Sequence, residues 1–216
     1  MARRGLQLGI QYWTSRGWGV VDVNYGGSTG FGREYRERLN AGWGVVDVAD
    51  CAAAAQALIH AGRANPDQIA IEGGSAGGFT TLAALCFTDV FCVGACRYAV
   101  CDLTAMAEET HRFEARYLDQ LVGTWPAERA LYDGRSPLQH ADQIRCPVLF
   151  FQGKQDKVVL PEQTEHMAAA LRANGVPVEV RLFEDEGHGF RNQTTQVQVL
   201  EATQAFFHRQ LGLPIA

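Results

Sequence analysis

Short apolar runs alternate with longer amphipathic stretches along most of the chain. Runs rich in Val, Ile and Phe that end near Gly, Pro or Asn are typical of β-strands. Such runs occupy residues 19–24, 68–72, 147–152 and 177–183, with one more inside residues 91–100. The stretches between them predict helices over residues 44–61, 77–86, 161–174 and 197–211. This alternation predicts an α/β fold in which helices flank a mostly parallel sheet.

One stretch breaks the alternation. Residues 102–144 carry mixed charge and include Trp125-Pro126 and Ser136-Pro137, so we interpret them as an insertion over the ends of the strands. The rest of the chain contains no internal repeat and no low-complexity linker. We therefore expect residues 1–216 to form a single domain.

Composition and charge argue against some classes of binding partner. A chain of 216 residues with 47% hydrophobic and 10% aromatic side chains can bury one core. Its 19 Lys and Arg against 24 Asp and Glu give a net charge of −5, which argues against nucleic acid and anionic membranes as partners. No apolar run approaches the ~20 residues that cross a bilayer, and the first residues do not resemble a secretory signal. We expect a cytoplasmic protein that acts on a peptide or a small molecule.

The cysteines predict neither disulfides nor a metal site. All six lie mostly inside apolar stretches, and none forms a C-x-x-C pair or a zinc-ligand quartet. We interpret them as reduced packing residues. The chain also lacks an H-E-x-x-H motif, so the sequence implies no metal and no cofactor.

The most specific chemical signal is a G-x-S-x-G motif. It spans residues 73–77, centres on Ser75, and lies between a predicted strand and a predicted helix. Glycines on both sides let the chain turn sharply, so that the serine hydroxyl is exposed at the carboxyl end of the sheet. Ser75 is therefore a candidate nucleophile, and a tight glycine turn without chemistry is the alternative.

A nucleophilic serine needs a base and a carboxylate that orients the base. Asp156 follows the predicted strand 147–152, and His188 follows the strand 177–183 between two glycines. The order Ser, Asp, His with each residue after a strand is that of the α/β-hydrolase arrangement. The alternatives are a helix-capping carboxylate for Asp156 and a surface histidine for His188. We interpret Asp185 and Glu186 as parts of a solvated turn.

Further motifs recur in a characteristic order along the chain. They are Gln11 to Gly17, Val21 to Gly32, Trp43 to Val48, Gly73 to Gly78, Arg135 to Pro137 and Glu186 to Phe190. This series resembles the catalytic domain of the prolyl oligopeptidase family, in particular the acylaminoacyl-peptidases and dipeptidyl-peptidase-like enzymes. The resemblance covers nearly the whole chain. It implies an α/β-hydrolase fold and a serine peptidase in which Ser75 is the nucleophile, Asp156 the orienting acid and His188 the general base.

The chain departs from this family at its amino-terminal end. The propeller domain and the first strands of the hydrolase sheet are missing, so the domain looks amino-terminally truncated. The family's His-Gly-Gly-Pro-like segment, which supplies one oxyanion donor, would lie before Gln11 and is also missing. The backbone N–H of Ala76 remains as one donor, and Tyr25 is the candidate substitute for the second. Removal of one such donor typically lowers turnover about 10²–10³-fold.

A second departure concerns specificity. Many peptidase relatives place Arg or Asn two residues after the catalytic acid, where this chain has Val158. The absent strand also leaves sheet edges that a dimer partner, a rearranged sheet or a longer chain would cover. A homo-oligomer that forms through these strand edges is thus one expectation.

Three functional hypotheses follow. The first is a serine hydrolase that cleaves peptide or acyl-amino bonds through an acyl-enzyme. The second is a carboxylesterase that uses the same residues on small acyl esters, and the third is a truncated domain with impaired catalysis because half of the oxyanion hole is missing. A dinucleotide site at residues 26–32 is disfavoured, because the glycine spacing is not G-x-G-x-x-G at the start of a helix.

Overall fold

The computed structural model describes residues 2, 5–109 and 117–214, and the centre of this described part is a four-stranded parallel sheet. Its strands, in spatial as well as chain order, are β1 Ala70–Gly74, β2 Val93–Arg97, β3 Val148–Gly153 and β4 Val178–Phe183. The central strands β2 and β3 are almost completely buried, whereas β1 and β4 are partly exposed. This burial is typical of a parallel sheet that is covered on both faces.

Helices cover the sheet on both sides. In chain order they are α1 Leu8–Thr14, α2 Arg33–Glu37, α3 Val46–His60, α4 Ala76–Phe87, α5 Leu103–Glu109, α6 Tyr117–Leu121, α7 Arg129–Arg135, α8 Pro161–Ala173 and α9 Gln193–Gln210, with 3-10 turns at Pro66–Gln68 and Pro137–Gln143. Among the described residues, no helix combines the length and apolarity that a membrane span requires.

The core is divided by the two faces of the sheet. On one face Cys96 and Phe150 pack with Leu82 of α4 and Met167 of α8. On the other face Ala95, Leu149 and Phe151 pack against α9 and against Trp13 of α1. Because side chains alternate along β2 and β3, each strand contributes to a core on both faces of the sheet. The α/β-hydrolase-type layering predicted from the sequence is confirmed.

Residues 19–24 do not form the strand predicted from their pattern. They lie outside the four-stranded sheet, and Val20 and Val21 are 39% and 53% exposed. The prediction is wrong because β-propensity describes how a residue fits a pleated surface, whereas a strand also requires a hydrogen-bonded neighbour. The end of this run is held instead by Asn24, whose carbonyl accepts a hydrogen bond from the hydroxyl of Tyr35 at 2.7 Å.

The other predicted elements are present with shifted ends. β1 begins two residues later than predicted, because the 3-10 turn Pro66–Gln68 takes up the preceding residues. α9 begins earlier than predicted, because the side chain of Asn192 accepts the backbone N–H of Thr194 and caps the helix there.

The stretch 102–144 contains α5, α6 and α7 in its described part. Its side chains Leu103, Leu118 and Tyr132 pack with Trp43 and with Phe79 of α4 in one buried cluster. This stretch therefore shares a core with the rest of the chain, and its interpretation as an insertion over the strand ends stays a prediction, as does the single domain.

Candidate active site

Ser75 lies at a sharp turn between β1 and α4. Its backbone is in a region that non-glycine residues rarely adopt, with φ 54° and ψ −121°. Its N–H donates to the carbonyl of Arg97 at 2.9 Å, and its carbonyl accepts the N–H of Phe79 at 3.0 Å. Such strained conformations persist where the surroundings over-determine them, and they are common at functional sites.

The glycines around Ser75 permit two close approaches. A Cβ atom on Gly73 would lie 2.1 Å from the carbonyl oxygen of Gly77, and one on Gly78 would lie 2.5 Å from the Cβ of Ala99. Both distances are far below van der Waals contact. The turn of residues 73–78, hereafter the Ser75 turn, thus needs glycine at positions 73 and 78, whereas a Cβ on Gly77 would meet nothing within 4 Å.

His188 connects Ser75 to Asp156. Its Nε2 atom lies 2.8 Å from the Ser75 hydroxyl oxygen, and its Nδ1 atom lies 2.9 Å from Oδ2 of Asp156. Both distances are normal hydrogen bonds. The three residues follow β1, β3 and β4, and the common direction of these strands brings them to one edge of the sheet. The structure therefore brings together the three residues singled out from their order in the chain.

The environment of Asp156 favours its ionised form. Its side chain is completely buried, and its Oδ1 atom accepts the N–H groups of Val158 at 2.9 Å and Val159 at 3.0 Å. Burial by itself raises the pKa of this carboxyl, but the hydrogen bonds from His188, Val158 and Val159 outweigh it and hold the pKa below its ordinary value of 3.8. Val158 itself is 58% exposed, so it contributes to the site through its backbone.

An ionised Asp156 determines which nitrogen of His188 carries the proton. A carboxylate only accepts hydrogen bonds, so Nδ1–H of His188 must be the donor. In the neutral imidazole, Nε2 then presents its lone pair to the Ser75 hydroxyl. This arrangement can take the serine proton as the oxygen attacks an acyl carbon, which is the chemistry of an activated nucleophile.

The loops that carry Asp156 and His188 are packed against each other. The N–H of Gln155 donates to the carbonyl of Glu186 at 2.9 Å. A Cβ atom on Gly153 would lie 2.3 Å from the same carbonyl oxygen. Because the backbones of the two loops touch, the distance between Asp156 and His188 is set by main-chain contacts.

Glu186 is not part of a solvated turn, and that interpretation is wrong. It is 5% exposed, and its carboxylate accepts the N–H groups of Arg191 and Asn192, each at 3.0 Å. Burial opposes its charge, but these bonds and one with the Thr195 side chain lower its pKa below the ordinary 4.5. Glu186 thus fastens the loop that carries His188 to the start of α9, a role that local sequence does not reveal.

Gln152 is a further member of the site that sequence reasoning missed. It is fully buried, and its amide nitrogen lies 3.4 Å from Oδ2 of Asp156 and donates to the carbonyl of Val159 at 3.2 Å. Its carbonyl oxygen accepts the hydroxyl of Thr164 at 2.9 Å. A polar residue at the end of an otherwise apolar run is the signal that could have identified it.

The two residues predicted to line the oxyanion site lie in different surroundings. Ala76 is the first residue of α4, where backbone N–H groups have no partner within the helix. Tyr25 lies beside Asp47 and Cys51, and its pKa is raised by burial and then by the nearby charge of Asp47. Asp47 is itself fully buried and accepts the N–H of Gly44 at 2.7 Å. The roles of Ala76 and Tyr25 stay predictions.

The six cysteines are free thiols, three of them buried (Cys86, Cys96 and Cys101) and three partly buried (Cys51, Cys92 and Cys146). Burial raises the pKa of Cys51 and Cys146 to about 11 and that of Cys86 to about 12, so these thiols are protonated at neutral pH. Among the described residues, no group of three or more His, Cys, Asp and Glu side chains could hold a metal ion.

Sequence comparison identifies related proteins over nearly the whole chain. The profile of the prolyl oligopeptidase family matches residues 5–214. Dipeptidyl aminopeptidase BIII of Pseudoxanthomonas mexicana is 34% identical over 211 residues, which are 94% of this chain and 30% of that protein. The acylamino-acid-releasing enzyme of Arabidopsis thaliana is 31% identical over 94% of this chain and 28% of its own length.

Solved structures agree with this relationship. A puromycin-hydrolyzing peptidase of Mycobacterium tuberculosis is 53% identical with a TM-score of 0.94, over 97% of this chain and 32% of that chain. A puromycin hydrolase is 48% identical with the same TM-score of 0.94, over 98% of this chain and 32% of that chain. The chain therefore spans about a third of the length of the relatives it matches.

Proposed function

This chain belongs to the prolyl oligopeptidase family, and on that premise we propose that it hydrolyses peptide or acyl-amino bonds as a serine peptidase. One observation carries the proposal, namely the continuous hydrogen-bonded series from Ser75 through His188 to Asp156 at 2.8 and 2.9 Å. The relatives named for puromycin hydrolysis and dipeptidyl aminopeptidase activity support an amide substrate. We propose a cytoplasmic location as well, a compartment in which thiols are kept reduced.

The proposed reaction has two halves. Ser75 Oγ attacks the carbonyl carbon while its proton passes to Nε2 of His188, and the protonated imidazole then gives that proton to the leaving amine as the C–N bond breaks. Water attacks the resulting acyl-enzyme, loses a proton to His188, and the proton returns to Ser75 as the acid leaves. Asp156 stays ionised throughout and stabilises the imidazolium, in agreement with its low pKa.

The negative oxygen that forms during each attack needs hydrogen-bond donors. We assign one to the backbone N–H of Ala76, because it opens α4 directly after the attacking residue. Tyr25 is retained as the candidate second donor. Replacement of its hydroxyl in Tyr25→Phe should lower turnover about 10²–10³-fold if it acts in this way.

A fluorophosphonate probe tests whether the nucleophile is active. Intact mass should reveal one adduct on the wild type and none on Ser75→Ala or His188→Ala. Turnover of a peptide anilide should fall by a factor on the order of 10⁴–10⁶ in both variants. His166→Ala is a matched control, because His166 lies on α8 outside the series.

The same proteins distinguish the alternatives. Amide hydrolysis that depends on Ser75 supports the peptidase, and turnover of aryl esters alone would replace it by the carboxylesterase hypothesis. A folded wild type that forms no adduct would contradict the proposal and favour the domain with impaired catalysis.

A further inference from the structure

Tyr98 is a residue outside the predicted site whose ring contacts the imidazole of His188. The two ring centroids lie 4.9 Å apart with an interplanar angle of 61°. Tyr98 makes a second edge contact with Phe190, at 4.9 Å and 88°. Because His188 and Phe190 belong to one loop, the Tyr98 ring contacts that loop at two points.

The same ring also contacts the Ser75 turn. A Cβ atom on Gly74 would lie 3.1 Å from the Tyr98 ring and 3.2 Å from its hydroxyl oxygen, so the ring lies directly over the residue before Ser75. The next residue, Ala99, makes the close contact with Gly78 described above. Tyr98 therefore lies between the segment that carries Ser75 and the loop that carries His188.

The backbone of Tyr98 is held in an unusual conformation. Its φ is 38°, in the left-handed region that bulky residues rarely adopt. Its N–H donates to the carbonyl of Phe151 at 2.8 Å, and the carbonyl of the preceding Arg97 accepts the N–H of Ser75. These two bonds, one from the residue after β1 and one to β3, hold the backbone at Arg97 and Tyr98 at the end of β2, and thereby set where the Tyr98 ring points.

Aromatic contacts continue from Tyr98 into the core. Phe190 packs on Phe183 at 5.1 Å, and Phe183 stacks on Phe151 at 6.4 Å. Phe151 is fully buried in β3. The series Tyr98, Phe190, Phe183 and Phe151, hereafter the aromatic row, thus connects the imidazole of His188 to the rigid centre of the sheet.

We propose that Tyr98 is a positioning residue that holds the imidazole of His188 in the orientation in which Nε2 faces Ser75. The contacts of Glu186 fix the backbone of the loop, but His188 lies between two glycines, which have no side chains that could pack on its imidazole. The Tyr98 ring occupies one side of the imidazole and limits its rotation. This inference rests on the proposed function, because the orientation matters only if His188 takes the proton of Ser75.

Three variants distinguish the effect of the Tyr98 ring on His188 from the effect of the Tyr98 hydroxyl and from the effect of aromatic packing elsewhere in the protein. Tyr98→Ala removes the contact, Tyr98→Phe keeps the ring, and Phe87→Ala removes a comparable edge contact on His140, at 5.1 Å and 65°, outside the site. We expect Tyr98→Ala to lower kcat about 10-fold to 10²-fold with KM unchanged, because a small misplacement of a catalytic group has an effect of this size. Tyr98→Phe should restore kcat to within about threefold, and Phe87→Ala should leave it unchanged.

A second readout does not depend on turnover. The Nδ1 proton of His188 should give a downfield proton NMR signal in the wild type, which Asp156→Asn abolishes. In Tyr98→Ala this signal should broaden or disappear, and in Tyr98→Phe it should remain. Where the alanine variant does not fold, Tyr98→Leu keeps the apolar volume without the flat ring and is expected to behave as stated for alanine.

Several outcomes would overturn the inference. An unchanged kcat and an unchanged signal in Tyr98→Ala would exclude a positioning role. Loss of activity in Tyr98→Phe equal to that in Tyr98→Ala would assign the effect to the hydroxyl, and a raised KM at constant kcat would assign Tyr98 to substrate binding. A wild type that does not react with fluorophosphonate would instead contradict the proposed function, while the NMR comparison would still test the position of His188.

Discussion

Two glycine-rich segments of this chain use glycine for different reasons. In the Ser75 turn, a Cβ atom on Gly73 would meet the backbone of Gly77 at 2.1 Å. In the segment of residues 26–32, a Cβ on Gly26 would meet the side-chain atoms of Val46 at 2.8 Å and of Arg38 at 3.3 Å. Gly32 has a φ of 89° and open space around its Cα.

The difference lies in what each segment approaches. The Ser75 turn connects the paired strand β1 to the buried helix α4, so the atoms nearest to a Cβ on Gly73 are main-chain atoms of the first turn of α4. The segment 26–32 follows residues 19–24, which lie outside the sheet, and the atoms nearest to a Cβ at Gly26 or Gly27 belong to the side chains of Val46, Arg38 and Leu39. These contacts, at 2.7 Å and above, are less severe than the 2.1 Å contact at Gly73. A run of glycines therefore predicts a turn, but the atoms that surround the turn determine which of its glycines can be replaced by a residue with a Cβ atom.

The largest effect is expected for Gly73→Ala. The new Cβ must displace the carbonyl of Gly77, which should destabilise the protein by about 1–3 kcal/mol or more and slow reaction with fluorophosphonate more than about 10²-fold. Urea unfolding and the rate of labelling measure the two effects.

Gly77→Ala is the control within the same motif. A Cβ at Gly77 meets nothing within 4 Å, and the residue lies in the first turn of α4. Because alanine favours helix over glycine, we expect stability to rise or to change by less than about 1 kcal/mol. Equal losses in the two variants would contradict the assignment of the clash to Gly73.

An intermediate effect is expected for Glu186→Gln. The substitution replaces a buried carboxylate that accepts two backbone N–H groups, and hydrogen bonds to charged groups contribute about 1.5–3 kcal/mol. Glu184→Gln is the control, because Glu184 is 73% exposed and pairs with Lys154 at the surface, where ion pairs contribute about 1 kcal/mol or less.

The stability difference between wild type and Glu186→Gln should depend on pH in a defined direction. The pKa of Glu186 is lower in the folded protein than its ordinary 4.5, so its contribution is present above pH 4.5 and is lost as the pH falls through the folded value. The difference in Tm between wild type and Glu186→Gln should therefore be largest near neutral pH and shrink in acid. A difference that grows in acid would contradict the role given to its charge.

The smallest effect is expected for Gly26→Ala. Its N–H, which donates to Asp50 at 2.7 Å, is retained, and the new Cβ would meet Val46 at 2.8 Å and Arg38 at 3.3 Å, so these residues must shift by a few tenths of an ångström. We expect a loss of about 1 kcal/mol by thermal unfolding, smaller than that of Gly73→Ala, and an unchanged labelling rate. A loss of stability as large as that of Gly73→Ala would contradict the conclusion that the Ser75 turn needs glycine more strictly than residues 26–32 do.

The α/β layering and the three residues of the hydrogen-bonded series could be predicted from local sequence patterns. Strands β1 to β4 and the helices α3, α4, α8 and α9 follow from local periodicity, and parallel strands necessarily bring their carboxyl ends to one edge. Ser75, Asp156 and His188 each follow such an end, so their convergence could be predicted without knowledge of any long-range contact.

The contacts that hold these residues in place could not be predicted from local patterns, because they join residues that are distant in the chain. The burial of Glu186 depends on the start of α9, the contact of Gln152 with Asp156 depends on the turn after β3, and the ring of Tyr98 reaches His188 from a different strand. Residues 19–24 have a strand pattern but lie outside the sheet. In each case a local pattern describes what a residue can do, whereas its surroundings, contributed by residues distant in the chain, select which hydrogen bonds and contacts it makes.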